Sequence, residues 1–308
     1  MKRGCANMQL PEFRSSNKLN MESKLSGIFA PINIPFLKNE EVDFAGLTKN
    51  LNFYIESDLS GLLILGSNGE NKSLTEEEKI KIVESSTDLI AGRKTVIVGL
   101  MVESLYLART FIEKIRNFPV DYLLVQPPFY FRGKFTEEDY YQYFVDITNI
   151  SPFPVLIYNA PGFTGVDFSE SLINRLAELD KVVGIKDSSK QVKELSPNLT
   201  VLTGTANTLF EMLEKNAKGG IVSLANFLPE LPVQIYTEYV EGNREKAKSL
   251  QETAIKLNAL ISGKSGVAGV KAGMDAVGLV GGELRKPLQR LSQAEVERIR
   301  NSIKEIYH

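Results

Sequence analysis

A lysine at the end of an apolar run is the residue of this sequence with the clearest chemical potential. The segment "VVGIKDSS", residues 182–189, predicts a buried strand that ends on Lys186. Because burial disfavours the charged form of an amine, a lysine in such a place can retain the neutral form that attacks carbonyl carbons and forms a Schiff base. An ion pair with a carboxylate at the strand end, Asp187 included, explains the position at least as well from these residues alone.

Hydroxyl groups at other strand ends could move a proton. Tyr158 closes the run "PVLIYNAP" and could be a proton shuttle or a packing residue with a satisfied hydroxyl. Ser67 lies in "GSNGE", residues 66–70, a turn that could offer N–H groups to a carboxylate, although many turns between a strand and a helix have this composition. The loop "PPFYFRGK", residues 127–134, keeps Tyr130 near the same end as either a packed rim or a subunit contact.

The composition narrows the chemistry further. The 308 residues include one cysteine, Cys5, and one histidine, His308, so disulfides, Cys/His zinc sites and histidine triads are effectively excluded. We therefore expect Lys, Tyr, Asp or Glu to do the acid–base work. A net charge of -2 gives no basic surface for nucleic acid, so small molecules are the expected partners.

The first 24 residues are polar and are left out of the predicted fold as a loose tail. They lack the apolar core of a secretory signal, and the chain has no run of eighteen or more apolar residues that would cross a membrane. We expect a cytoplasmic protein, and a transit segment or a start at Met21 is the alternative.

Apolar, β-branched runs recur along the chain and predict parallel strands that are covered on both faces. Helical patterns with polar, capped starts such as "TEEEK" and "TEEDY" lie between the earlier runs. After the sixth and seventh runs the connecting segments are short, and a helix is predicted there less clearly. This order predicts a (β/α)₈ barrel at residues 25–228 and a helical region at residues 229–308; a doubly wound sheet is the main rival. The eight runs are "GIFAPINIPF" at 27, "GLLILGS" at 61, "TVIVGL" at 95, "YLLVQPPF" at 122, "PVLIYNAP" at 154, "VVGIKDSS" at 182, "LTVLTGT" at 199 and "GGIVSL" at 219.

These segments together resemble the dihydrodipicolinate synthase and N-acetylneuraminate lyase family of pyruvate-dependent class I aldolases. "GSNGENKSLTEEE" is similar to the family's G-[ST]-T-G-E turn, "QPPFYFRGK" to its aromatic loop, "YNAPGFTG" to its tyrosine strand end and "GIKDSS" to its lysine strand. Tyr158 and Lys186 lie 28 residues apart, as in the family pattern, and the likeness covers roughly residues 26–300.

The resemblance implies a barrel with C-terminal helices, a homotetramer or dimer, and a covalent Schiff base between lysine and a 2-oxo acid, with no metal and no external cofactor. By this analogy Lys186 forms the Schiff base, Tyr158 is the proton shuttle, and Ser67 and Tyr130 complete the relay, often across a subunit contact. The other positions to which the resemblance assigns substrate binding are Ser67 and Asn68 for the carboxylate, the carbonyl of Val222 at the floor, and Ser188, Phe163 and Arg132 around the mouth.

Two departures from the family pattern bear on the reaction. Phe163 stands where dihydrodipicolinate synthases carry an arginine for the carboxylate of the second substrate, and Asn68 replaces the usual threonine. In both features the sequence is similar to 4-hydroxy-2-oxoglutarate aldolases, and 2-keto-3-deoxy sugar-acid aldolases have a closely related sequence pattern. We therefore expect a lyase that cleaves a 4-hydroxy-2-oxo acid or 2-keto-3-deoxy acid to pyruvate or glyoxylate and a second carbonyl compound. Dihydrodipicolinate synthase, N-acetylneuraminate lyase or dehydratase activity is the alternative, and a non-enzymatic keto-acid-binding regulator is less favoured.

Overall fold

A computed structural model describes residues 24–189 and 193–305. The predicted tail up to residue 23, together with Cys5 and His308, lies outside this part of the chain. Lys24 pairs with Asp121, its Nζ lying 3.0 Å from the carboxylate Oδ1.

Eight parallel strands form a closed barrel in which each strand pairs with its neighbours in chain order and β1 pairs with β8. The predicted (β/α)₈ barrel is therefore confirmed, and the doubly wound sheet is wrong. Each of the eight predicted runs contains one of the strands. Their bounds are β1 Gly27–Pro31, β2 Gly61–Ile64, β3 Thr95–Leu100, β4 Tyr122–Val125, β5 Val155–Asn159, β6 Val182–Asp187, β7 Thr200–Thr203 and β8 Gly219–Ile221.

The strands lack a polar face because both of their faces are buried. In β2, Leu63 points into a core inside the barrel, whereas its neighbours Leu62 and Ile64 belong to the larger core between the strands and the outer helices. Phe29 and Tyr158 also fill the interior. The barrel is thus a packed core, and side chains that project from the strand ends form its mouth.

Helices cover the outside of the barrel, and the predicted capped starts are confirmed. Thr75 and Thr136 each form a capping box with the acidic residue three positions later. The helices up to the last strand and just after it are α1 Phe44–Glu56, α2 Glu76–Ile90, α3 Leu105–Ile115, α4 Glu137–Ile150, α5 Pro161–Thr164, α6 Glu170–Leu176, α7 Leu209–Glu214 and α8 Glu230–Val240. In the described residues between β6 and β7 there is no helix.

Three more helices follow, which are α9 Arg244–Asn258, α10 Lys264–Ala276 and α11 Gln293–Lys304. A π-helical turn, Ala259–Gly263, joins α9 to α10. Helix α8 contacts β1 as well as α9 and completes the eighth βα unit. The domain boundary after residue 228 stays a prediction.

The first predicted run is longer than its strand. β1 ends at Pro31, whose ring leaves no N–H for a strand ladder, although Ile32 still donates to the Leu63 carbonyl at 2.9 Å. Phe36, at the end of the run, forms isolated bridges with Val42 and with Glu283. The bridge to Glu283 thereby joins the C-terminal region to the loop after β1. None of the helices in the described ranges combines the length and the apolar character that a membrane span requires.

Candidate active site

Strands β5 and β6 bring Tyr158 and Lys186 side by side. The two residues are Cα partners in the parallel ladder, and Lys186 Nζ lies 4.7 Å from the centroid of the Tyr158 ring. Both side chains are buried, with 2% of Tyr158 and 5% of Lys186 exposed. In the described part of the chain no carboxylate oxygen lies within 4.0 Å of Lys186 Nζ. The ion-pair interpretation of this lysine therefore finds no partner there.

Asp187, the carboxylate proposed as that partner, is engaged elsewhere. Its Oδ1 accepts hydrogen bonds from Asn159 Nδ2 at 3.0 Å and from the Ser189 main-chain N–H at 2.8 Å. Asn159 also donates to Asp167 Oδ1 at 3.0 Å. Successive side chains of a strand point to opposite faces, so Asp187 lies on the other side of β6 from Lys186. These bonds fix the ends of β5 and β6 and hold the two site residues in register.

The turn after β2 supplies the predicted serine. Ser67 begins a single turn of 3₁₀ helix, Ser67–Gly69, and its Oγ lies 3.4 Å from the Tyr158 hydroxyl. This distance is long for a bond between hydroxyls, and catalytic hydrogen bonds often shorten only when substrate is bound. Asn68 is held on both sides, because its Nδ2 donates to Ser223 Oγ at 2.9 Å and its carbonyl accepts from Asn33 Nδ2 at 3.2 Å.

Tyr130 is not brought to the relay in the single chain. Its side chain is 74% exposed, and its ring packs edge-on against Phe131. Within the described residues its hydroxyl makes no hydrogen bond to Ser67 or Tyr158. The resemblance places this tyrosine at a subunit contact, and its role stays a prediction.

Sequence reasoning missed Glu103, which positions the Tyr130 loop. Its Oε2 accepts from the main-chain N–H groups of Phe129 and Tyr130 at 2.9 and 3.0 Å. Lys72 lies 3.5 Å from the other oxygen; burial lowers the pKa of Lys72, and the Glu103 carboxylate opposes that shift. Only the place of Glu103 just after the third predicted strand could have indicated it.

The remaining predicted substrate-binding residues surround the mouth at different depths. Val222 is fully buried, and its carbonyl accepts a hydrogen bond from the Ala225 N–H at 3.1 Å. Ser188 follows β6 and packs against Gly204, where any Cβ would collide with its Oγ. Phe163 lies on the short helix α5 with 69% of its side chain exposed.

Arg132 reaches from the β4 loop to the β5 loop. A Cβ placed on Gly165 would lie 2.8 Å from Arg132 Nε, and Gly165 has a φ of 66° that also favours glycine. No ion pair engages Arg132 within the described ranges. Its charge thus lies beside the segment that carries Phe163. The described residues contain no group of three or more His, Cys, Asp or Glu side chains placed to hold a metal ion.

Comparison with known proteins decides the family. The model of the dihydrodipicolinate synthetase family matches residues 24–306. The chain belongs to the dihydrodipicolinate synthetase family. This membership confirms the resemblance found in the sequence, and it identifies the chain as an enzyme, a carbon–carbon lyase of the class I aldolase type.

Relatives within the dihydrodipicolinate synthetase family align along nearly their whole length. A 4-hydroxy-tetrahydrodipicolinate synthase of Methanococcus vannielii is 28% identical, and the alignment covers 91% of this chain and 98% of the relative. An uncharacterised DapA-like lyase of Halobacterium salinarum is 31% identical over 87% of this chain and 89% of its own. The structure of a chloride-inhibited dihydrodipicolinate synthase of Acinetobacter baumannii, complexed with pyruvate, superposes with a TM-score of 0.85 at 28% identity, covering 91% of this chain and 98% of that one.

Proposed function

We propose that this member of the dihydrodipicolinate synthetase family forms a Schiff base between Lys186 and pyruvate, or a related 2-oxo acid, and makes or breaks a carbon–carbon bond at C3 of that acid. The buried Lys186 amine, beside Tyr158 and away from any described carboxylate, is the observation that carries the proposal. A lysine amine attacks a carbonyl carbon in its neutral form. No external cofactor enters the reaction.

The Lys186 amine adds to C2 of the 2-oxo acid, and water leaves to give an iminium. In the bond-forming direction, loss of a C3 proton gives an enamine whose C3 attacks the carbonyl carbon of the second substrate. In the bond-breaking direction, the iminium draws the electrons of the C3–C4 bond while Tyr158 takes the proton of the C4 hydroxyl. The enamine left on Lys186 is then protonated at C3, and water hydrolyses the resulting iminium to release the 2-oxo acid and free the lysine. The Tyr158 hydroxyl, with Ser67 Oγ 3.4 Å away, supplies the route for this proton.

The names of the relatives favour the synthase alternative over the expected cleavage of a 4-hydroxy-2-oxo acid. By the family resemblance, the second substrate of such a synthase carries its own carboxylate. Cleavage of a 4-hydroxy-2-oxo acid is the second candidate, favoured by Phe163, since an exposed phenyl ring offers no hydrogen bond to a carboxylate.

Arg132 supports a carboxylate on the second substrate in either reaction. Its guanidinium lies against Gly165 in the loop that carries Phe163, and it is exposed and without an ion pair in the described structure. An arginine offers several N–H donors in a planar fork that matches a carboxylate. This placement favours an aldehyde or oxo acid with a carboxylate over a neutral sugar aldehyde.

Assembly into a homodimer or homotetramer is part of the proposal, because Tyr130 would reach a relay only from a neighbouring subunit. Exposed aromatic side chains on the same loops, Phe131 and Phe163, give such a contact apolar area. A cytoplasmic location is proposed alongside.

Borohydride trapping tests the mechanism. The protein is incubated with pyruvate, reduced, and analysed by peptide mass spectrometry, with a sample lacking pyruvate as the control. A pyruvyl adduct on Lys186 is the expected result, and its absence from every lysine would contradict the proposal. Product analysis with pyruvate plus carboxylate-bearing aldehydes, and separately with 4-hydroxy-2-oxoglutarate, then distinguishes synthesis from cleavage.

A further inference from the structure

A buried ion pair connects the C-terminal helices to the turn that carries Ser67 and Asn68. Lys271, on α10, places its Nζ 2.7 Å from Oε1 of Glu70, the last residue of the segment "GSNGE". The side chains of Lys271 and Glu70 are only 3% and 1% exposed. The two residues are far apart in sequence, and none of the motifs predicts that they meet.

Both partners make further contacts, so the pair is fixed in place. Lys271 Nζ also donates to the carbonyls of Ile34 and Glu283 and lies 4.6 Å from the centroid of the Phe36 ring. Glu70 Oε2 accepts a hydrogen bond from the main-chain N–H of Arg285 at 3.1 Å. The carboxylate is therefore held by α10 and by the segment that follows it.

The backbone of Glu70 shows why its side chain matters. Glu70 adopts the left-handed conformation, with φ 51° and ψ 39°, which a glycine would adopt without strain. Compared with glycine, glutamate strains the backbone here, but it supplies the carboxylate that pairs with Lys271. The Glu70 N–H donates to the Ser67 carbonyl at 3.1 Å, so a shift of Glu70 moves the turn that presents Ser67 and Asn68.

Stability alone is a poor explanation of the pair. Removing two charges from water costs free energy that their attraction often fails to recover, and apolar pairs of similar size are frequently as stable. Burial lowers the pKa of Lys271, and the Glu70 carboxylate opposes that shift. Such pairs are better suited to fixing one geometry than to adding stability.

We propose that Lys271 and Glu70 are positioning residues that hold the Ser67–Asn68 turn in the geometry that binds the carboxylate of the 2-oxo acid. The C-terminal helices then act on the substrate site indirectly, through Glu70. This inference rests on the proposed function, in which that turn binds the 2-oxo acid.

Pyruvate titration of borohydride trapping on Lys186 tests the inference without a second substrate. The half-saturating pyruvate concentration is measured for the unchanged protein, Lys271→Met, Glu70→Gln and the double variant. Each single variant is expected to raise it about tenfold, because the turn loses one partner of the buried ion pair that holds it. The maximal adduct per folded chain stays unchanged because Lys186 is untouched. The double variant is expected to be no worse than the weaker-binding single variant, since the partners act as one unit.

Lys94→Met is the matched control. Lys94 is a half-buried lysine that, like Lys271, donates to two carbonyls; these are the carbonyls of Ser57 and Leu59, at the opposite end of the barrel. It should leave the half-saturating concentration unchanged. The positioning role is wrong if a single variant at the pair folds, as judged by circular dichroism, and keeps the half-saturating pyruvate concentration of the unchanged protein. It is also wrong if the effects of the two single variants multiply in the double variant. If Lys271→Met does not fold, Glu70→Gln and the double variant decide the question. Failure of the unchanged protein to form any adduct contradicts the proposed function itself, and with it this role.

Discussion

Tyr158 and Lys186 face each other as partners on adjacent parallel strands, with Lys186 Nζ 4.7 Å from the centroid of the tyrosine ring. The bonds of Asn159 and Asp187 on the other face of the same strands keep this register. A nucleophilic amine and a proton-transfer group are therefore placed by the strand ladder itself. Two rigid strands hold the pair more precisely than mobile loops would.

Lys186→Ala is expected to abolish turnover, with less than about one thousandth of the activity remaining, because the covalent step has no other amine. The fold should survive because no described carboxylate pairs with the Lys186 amine, so its removal leaves no buried charge without a partner. Turnover of pyruvate with its second substrate and circular dichroism are the measurements. Lys94→Ala is the control, and substantial activity in a pure Lys186→Ala sample would defeat the assignment.

Tyr158→Phe is expected to lower kcat by about 100-fold or more, the usual contribution of a positioned proton-transfer group. Trapping of pyruvate on Lys186 should persist, because the nucleophile is unchanged. Steady-state kinetics and peptide mass spectrometry measure the two effects. Tyr122→Phe is the matched control, since Tyr122 also lies in the barrel interior. Equal loss of activity in both variants would point to a packing role for Tyr158.

Arg132→Ala is expected to raise KM for the carboxylate-bearing second substrate about tenfold while leaving half-saturation by pyruvate unchanged. The guanidinium lies beside the β5 loop, whereas pyruvate is held at the lysine. Steady-state kinetics at varied second substrate check this. Lys134→Ala removes a charge from the same exposed loop and serves as control; an unchanged KM in Arg132→Ala would remove Arg132 from the substrate site.

Glu78→Gln is expected to lower the free energy of unfolding at neutral pH by about 1 kcal/mol, a value discounted for partial exposure. The Arg285 hydrogen bonds lower the pKa of Glu78 in the folded protein, and the side chains of Arg285 and Glu78 are 14% and 24% exposed. A lowered folded pKa gives stability that is present above the unfolded pKa, near 4.5, and lost as the pH falls through the folded value.

The difference in stability between the unchanged protein and Glu78→Gln should therefore shrink on acidification below about pH 4.5. Urea unfolding at several pH values measures it. Glutamine retains the capping box with Thr75, so the helix start is preserved. Glu297→Gln, in an exposed pair with Arg300, is the control. A pH-independent difference would mean that Glu78 contributes packing rather than charge.

Local patterns were sufficient for the elements of the barrel. Apolar runs without a polar face predicted the parallel strands, and Thr75 and Thr136 with their acidic partners marked helix starts. The patterns predicted the bounds of an element less well where these depend on residues that are distant in sequence. The run from residue 27 to Phe36 ends as a strand at Pro31, and its last residue bridges to Glu283. Nothing in the local sequence of the run indicates that Phe36 pairs with Glu283.

The sequence by itself determined the barrel, the family, and the presence of a lysine, a tyrosine and a serine at strand ends, because hydrophobic periodicity and motif order are local properties of the chain. Only the tertiary structure decided that Lys186 has no described carboxylate partner, that Glu103 holds the Tyr130 loop, that Arg132 lies beside Gly165, and that Lys271 meets Glu70. The three contacts join segments that are distant in sequence, and the surroundings of Lys186 likewise depend on several strands. Distances and burial at all four places are set by how the closed barrel and the C-terminal helices pack together.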